Sequence, residues 1–252
     1  MTAARPKRPF ALWPLLAAAA VGLAILVGLG TWQLQRLAWK EELIARVEAR
    51  THAAPVSLAE AERQWAVTGE AEYLRVTVTG QFIPGRDNAY FTTGSAGPGY
   101  QVYAPFRSTD GRVLLVNRGY IPEKLLPASS DDVLPRPAGE ITITGLARAS
   151  EVAGLFSGPA PTAGATRPWL TRDLPGMAEH AQLPDFVSPE QVVPFFLDLE
   201  RDFTHPDAYP QGGTTRLEIP NRHLEYALTW YGLAALLVVM TGLLIRSRRT
   251  GV

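Results

Sequence analysis

Glu218–Met240 reads EIPNRHLEYALTWYGLAALLVVM, and from Tyr226 to Ile245 no charged residue interrupts the chain. About 20 apolar residues of helix suffice to cross the ~30 Å hydrocarbon layer of a bilayer. The run is therefore expected to be a membrane helix, with His223, Tyr226 and Trp230 at its mouth. A second charge-free run, Phe10 to Leu34, meets the same length requirement near the other end of the 252 residues. Two spans enclosing one long insert set the frame for everything between them.

Arg5, Lys7 and Arg8 precede the first run and small residues stand at Gly28 and Gly30, which is also how a secretory signal is built. The apolar stretch is longer than the 7–15 residues of a signal's core, roughly speaking, and it leads into a helical pattern instead of a cleavage site. An uncleaved anchor is the expectation. Arg246, Arg248 and Arg249 follow the second run, so the positive-inside rule places both short tails in the cytoplasm. Arg36 and Lys40 oppose this from the other flank, but they open a long segment, and long segments cross largely regardless of charge. The expected division is a tail over residues 1–9, a first span over 10–31, an extracytoplasmic domain over 32–222, a second span over 223–245, and a tail over 246–252. With tails this short, no cytoplasmic signalling domain is expected.

Composition removes several kinds of chemistry. The absence of cysteine excludes disulfides, thiolate metal sites and thiol nucleophiles. Lys plus Arg and Asp plus Glu balance at 24 each, so there is no overall basic field for nucleic acid. Three methionines and no cysteine give copper no support.

Beyond the first span, WQLQRLAWKEELIARVEAR (Trp32–Arg50) sets Leu34, Leu37, Ala38, Leu43, Ile44 and Val47 on one stripe, so the helix is expected to continue, ending by Pro55. The period then changes. YLRVTVTGQFIP, YQVYAPFR, GRVLLVNRGYIP and GEITITGLARA are short β-prone runs bounded by Gly, Pro and Asp, read as antiparallel strands, with Pro105 at an edge or bulge. GSAGPG (Gly94–Gly99) lacks the Lys-Ser/Thr of a phosphate loop and reads as a hairpin turn. A Gly/Pro/Ala/Ser-rich connection is expected over Ala149–Pro168, a short helix near Asp173–Ala181, a strand over Val192–Leu199, and a turn-rich return loop. The fold class is a two-span transmembrane helix hairpin flanking a mainly antiparallel β (α+β) extracytoplasmic domain.

On a helix, His223, Tyr226, Ala227 and Trp230 share a face, and Trp32, Gln33 and Arg36 stand at the matching depth of the first span. Packed together, the spans would form one interfacial site, with Gly22, Gly28 and Gly30 allowing close approach. Trp, Tyr and Arg also gather at membrane interfaces as simple anchors. His223 fits that pattern less well, and a neutral imidazole at the edge of an apolar crevice is an axial ligand for haem iron. Arg36, Arg222 or Arg118 would pair with propionates. His52, His180 and His205 have no ligand-spaced partner and are expected in loops or on the surface; Asp131-Asp132 is expected to be solvated. No nucleophile with a base and no catalytic carboxylate pair emerges, so no enzyme is expected.

Three segments resemble one family. LGTWQLQRLAWKEELI (Leu29–Ile44), VNRGYIP (Val116–Pro122) and PQGG followed by IPNRHLEYALTW (Pro210–Gly213, Ile219–Trp230) are similar, in order, to the Surfeit locus proteins. That resemblance implies an assembly factor of cytochrome c oxidase that matures the haem-containing subunit, with bacterial members binding haem a. His223 matches the family's second-span histidine, beside Asn221, Tyr226, Thr229 and Trp230. Gly30, Trp32, Gln33, Arg36 and Lys40 match the first-span signature, and Asn117, Arg118 and Gly119 the central strand. Tyr120 stands where many members carry tryptophan, and Arg222 where another asparagine is common. The implied partners are the haem-containing oxidase subunit, the enzyme of haem a synthesis and membrane lipid, and the implied location is a bacterial inner membrane. Rival expectations are an oxidase stabiliser without haem ligation and an extracytoplasmic ligand sensor.

Overall fold

The structure, a computed structural model, describes residues 12–83, 86–94, 97–126, 134–152, 154, 161, 168–183, 187–200, 209–215, 217 and 219–250. The chain divides into two compact units, residues 1–46 with 218–252, and residues 47–217. Asp131-Asp132, His205 and most of Ala149–Pro168 lie outside the described residues.

The first unit is a pair of antiparallel helices. Helix α1 (Leu12–His52) runs unbroken for 41 residues, so the charge-free run does continue into the amphipathic stripe read from the sequence. Its partner is the last helix, α4 (His223–Thr250). Both are long and apolar enough to cross a membrane. Leu16, Ala19, Ala20 and Leu23 of α1 line one crevice with Leu237, Thr241 and Ile245 of α4. Gly22 approaches Leu237, and Gly30 approaches Tyr231.

On α4 the inward positions are His223, Ala227, Trp230, Ala234, Leu237 and Thr241, in alternating steps of four and three. This is the spacing of a narrow seam between two slightly inclined helices. Leu224, Leu228, Leu236, Val239 and Met240 are exposed on the other faces, as a lipid-facing surface requires. Gly28 departs from expectation: nothing stands within 4 Å of the space its side chain would fill, so close approach belongs to Gly22 and Gly30.

The second unit is an α+β domain on one mixed seven-stranded sheet, with strands β1 (Val56–Ser57), β2 (Arg75–Phe82), β3 (Asn88–Gly94), β4 (Gly97–Ser108), β5 (Val113–Pro122), β6 (Ile141–Arg148) and β7 (Phe196–Leu199). The order is β1-β2-β6-β7-β5-β4-β3, and β2 also pairs with β4, so five strands close into a ring. Most pairs are antiparallel, as expected, but β1/β2 and β5/β7 are parallel. Parallel neighbours need a crossover. Helix α2 (Leu58–Thr68) supplies it for the first pair, and the long excursion containing α3 (Leu174–His180) for the second.

Alternation along the strands divides the core. Leu114, Val116, Val76, Val78, Phe106, Ile143 and Leu197 meet inside the ring together with Leu58 and Ala61 of α2. Val113, Leu115, Tyr103 and Phe196 face the other way and pack under α3 on Leu174, Met177 and Ala178. Buried on both faces, β5 reads as the continuous apolar run of a central strand.

Pro105 lies in register with Leu115, between the part of β4 paired with β3 and the part paired with β2. Its carbonyl accepts from Ile83 on that side, so its missing N–H falls where β4 changes partners. The bulge expected at Pro105 sits nearby, between Gln101 and Tyr103. Gly94 pairs with Gly97, as the hairpin reading requires. The strand expected from Val192 becomes regular only at Phe196; Pro189–Gln191 form a single tight helical turn before it, Val192 makes an isolated bridge to Val113, and Pro194 interrupts the ladder between the two.

Candidate functional site

The local sequence NRHLE builds the start of α4. Pro220 precedes it, and the Asn221 side-chain oxygen accepts from the His223 backbone N–H at 3.4 Å, satisfying one of the first-turn donors. Glu225 lies in the first turn, where the helix dipole favours a negative charge, and Arg222 donates to it at 2.9 and 3.0 Å. His223 is thereby held as the first residue of the helix, on the seam. Its Nδ1 lies 2.7 Å from Oε1 of Gln33 on α1. The ring is partly buried, and among the described residues this is the one protein partner its side chain has.

The remaining residues singled out from the sequence distribute around this pair. Trp230 is half-buried on the same seam, two turns into α4. Tyr226 is 51% exposed, so the helical face that would hold it with His223 and Trp230 is narrower than the sequence spacing allows; Ala227 takes the inner place. Trp32 is also 51% exposed and Arg36 is exposed. Arg36 stacks on the Trp39 ring at 4.4 Å and enters no ion pair among the described residues. Arg222 is paired with Glu225, so of these two arginines Arg36 is the one with a charge to offer an anionic group.

Arg118 does not belong to this set. It is buried in the β domain, where it donates to the Leu134 and Pro135 carbonyls and lies over Phe82. Burial lowers its pKa from the ordinary arginine value, Asp87 opposing. The expectation that it pairs with a propionate is corrected: its donors serve backbone carbonyls.

The other histidines divide. His52 closes α1, donating from Nδ1 to the Glu48 carbonyl at 2.9 Å, in the helix-to-loop position expected. His180 is not on the surface. It is buried at the end of α3 with its ring edge-on to Trp169, because α3 turns that position toward the second core cluster.

Sequence reasoning missed a buried polar centre in the β domain. Asp198 on β7 accepts from Asn117 at 3.0 Å and Thr215 at 2.8 Å, with Arg148 at 3.6 Å. Asn117 in turn accepts from the Gly119 N–H at 2.9 Å. Nearby Tyr103 is fully enclosed, and burial, with Asp198 second, pushes its phenol well above the usual tyrosine pKa. FFLDLE carries the signal: Asp198 is the one charged residue of a short strand that is buried at every position. Arg148 also pairs with Glu72, and Arg172 with Glu151. This centre is saturated by its own members and fixes strand register. Among the described residues no group of three or more His, Asp and Glu stands ready for a metal ion.

Comparison with known proteins gives one family. The model of the SURF1 family matches residues 20–235. A SURF1-like protein of Monosiga brevicollis is 33% identical over 251 residues, covering 94% of this chain and 89% of that protein. Surfeit locus protein 1 of Homo sapiens is 33% identical over 226 residues, covering 82% and 70%, and that of Rattus norvegicus is 32% identical over 225 residues, covering 82% and 68%. The match includes Gln33, the β domain and His223, and on it the chain belongs to the SURF1 family.

Proposed function

We propose that this protein is a non-enzymatic assembly factor of cytochrome c oxidase that receives haem a at the helix hairpin and delivers it to the haem-bearing oxidase subunit. The observation that carries the reading is the His223–Gln33 pair. It sets a part-buried imidazole at the mouth of two apolar helices with one ring nitrogen engaged and the other open to a ligand. That donor set fits haem, whose iron takes a neutral imidazole as axial ligand. Trp230 on the seam, with Trp32 and Tyr226 exposed beside it, offers apolar and aromatic surface to a macrocycle, and Arg36 a charge for a propionate. When bound, haem supplies the redox-active iron that the oxidase needs; the chain's own residues hold it, shield it from water and release it. Contacts with the enzyme of haem a synthesis and with lipid belong to the same reading.

The basic residues outside each span support both termini in the cytoplasm and the β domain in the periplasm of a bacterial inner membrane. Reporter fusions after Val252 and near Gly158 test this, and a periplasmic C-terminus overturns it.

A second reading has one observation in its favour. A polar pair between two apolar helices is itself interhelical glue, of about 1 kcal/mol, so the same bond serves an oxidase stabiliser that never touches haem. Optical spectra of the full chain purified from cells making haem a separate the two. Haem ligation predicts a Soret band that His223→Ala removes or weakens with the helical circular dichroism retained; an unaltered spectrum in that variant favours the stabiliser.

A further inference from the structure

We infer that Gln33 is the positioning residue of the site: its side-chain carbonyl fixes His223 in the Nδ1–H tautomer and so keeps Nε2 as the free lone pair for an electron-pair acceptor. This deepens the haem reading and rests on it for the identity of the ligand, but the tautomer is a property of the ligand-free chain.

A neutral imidazole has one N–H and one lone pair, and the partner of one nitrogen decides the state of the other. Oε1 of Gln33, 2.7 Å from Nδ1, is an acceptor and can take a hydrogen bond only from an Nδ1–H. Among the described residues no protein group meets Nε2. A histidine that ligates a metal through Nε2 commonly donates Nδ1–H to a carbonyl or carboxylate, which fixes the ring's orientation and raises its basicity as a ligand. Here that partner comes from the opposite helix, 190 residues away in sequence.

Neighbouring contacts hold Gln33 at this depth. One turn earlier, Gly30 lets the Tyr231 ring stand against α1, and the Tyr231 hydroxyl is 3.1 Å from Thr31 Oγ1. Thr31 in turn donates back to the Val27 carbonyl at 2.9 Å. Helix register at Gly30–Tyr231 thus sets the Gln33–His223 distance. A slip of one residue along either helix rotates the amide by about 100° and parts the pair.

The test uses the full chain, ligand-free, in detergent micelles with 15N-labelled histidine. Long-range 15N–1H correlations distinguish Nδ1–H from Nε2–H, and subtraction of the His223→Ala spectrum assigns the ring. Expected are Nδ1–H in the native chain, its loss in Gln33→Ala, and its retention in Gln33→Glu, whose carboxylate is still an acceptor. Added haem should bind Gln33→Ala about 10- to 100-fold more weakly, the usual effect of removing such a partner, with Gln33→Glu closer to native. An Nε2–H resonance in the native chain, a Gln33→Ala variant with unchanged tautomer, or a His223-dependent haem band that Gln33→Ala leaves at unchanged affinity overturns the inference. The haem reading fails separately: the native chain then shows the Nδ1–H tautomer and its response to Gln33→Ala, while haem gives no His223-dependent band.

Discussion

The tip of the Tyr231 ring fills the space where a side chain on Gly30 would stand: a Cβ there would lie 2.9 Å from Cε1 and Cζ. Glycine is what lets the two helices come this close, in a setting where tight packing replaces the hydrophobic effect as the force between helices.

Gly30→Ala should therefore part the helices or push Tyr231 off its rotamer, at a cost of about 1–3 kcal/mol. Loss of helical signal on titrating the full chain from mild detergent into SDS measures it. Adding Tyr231→Ala should recover part of the loss, which a propensity effect would not allow, since alanine is the better helix former.

A second expectation concerns alkaline pH. Tyr103 keeps its proton in the folded domain above the pH of about 10 at which an unfolded tyrosine loses it. The folded state then binds more protons than the unfolded one, so stability is intact below about pH 10 and falls as pH rises through the folded pKa. Urea unfolding of the full chain followed by fluorescence should show this fall, and Tyr103→Phe should flatten it. Tyr90 and Tyr100, also raised by burial first and by Glu151 and Glu123 second, leave a residual slope.

The Asp198 centre separates buried from exposed charge. Arg148→Leu removes the guanidinium 3.6 Å from a carboxylate that is 1% exposed, leaving Arg172 as its more remote cation, and should cost about 3 kcal/mol. Arg63→Ala removes an ion pair whose arginine is 74% exposed and should change stability by about 0.5 kcal/mol or less. Thermal unfolding of the two variants side by side checks the contrast.

Gly119 holds a φ of +118°, and a Cβ at that position would meet the Gln211 carbonyl oxygen. Gly119→Ala should break the Tyr120–Gln211 backbone bridge, which exchanges bonds of 2.9 and 2.8 Å, and cost about 3 kcal/mol or more. Faster hydrogen exchange at Tyr120 and Gln211 than in the native chain localises the damage.

Much of the architecture is legible in the sequence, for particular reasons. The two spans announce themselves because charge is excluded from hydrocarbon, and four strands because β-prone runs bounded by Gly, Pro and Asp are local signals. Helix α2 was overlooked although Ser57-Leu58-Ala59-Glu60 carries a helix-start signature: Ser57 accepts from the Glu60 N–H, and Gly69 closes the helix in the left-handed conformation. Strands β1 and β3 were also missed, since two residues in one case and a Thr/Gly-rich run in the other give little periodicity. The parallel pairings and the ring itself could not be read, because they join segments far apart in sequence. At the site, helical spacing brought His223 and Trp230 to one face, but only the packed pair reveals that Gln33 meets His223 while Trp32, Arg36 and Tyr226 stand outside.

The ring of strands closes where Gly80, Gln81 and Phe82 of β2 meet Ser108, Arg107 and Phe106 of β4. On either side of this joint the two strands splay, β2 toward β1 and β4 toward β3. The domain is thus a bracelet with a three-rung clasp, and its circumference has no continuous backbone edge to lend. Strand edges are left instead to β1 and β3, which lie outside the ring, so a further strand can add there, whereas the ring itself offers a partner side chains and loops.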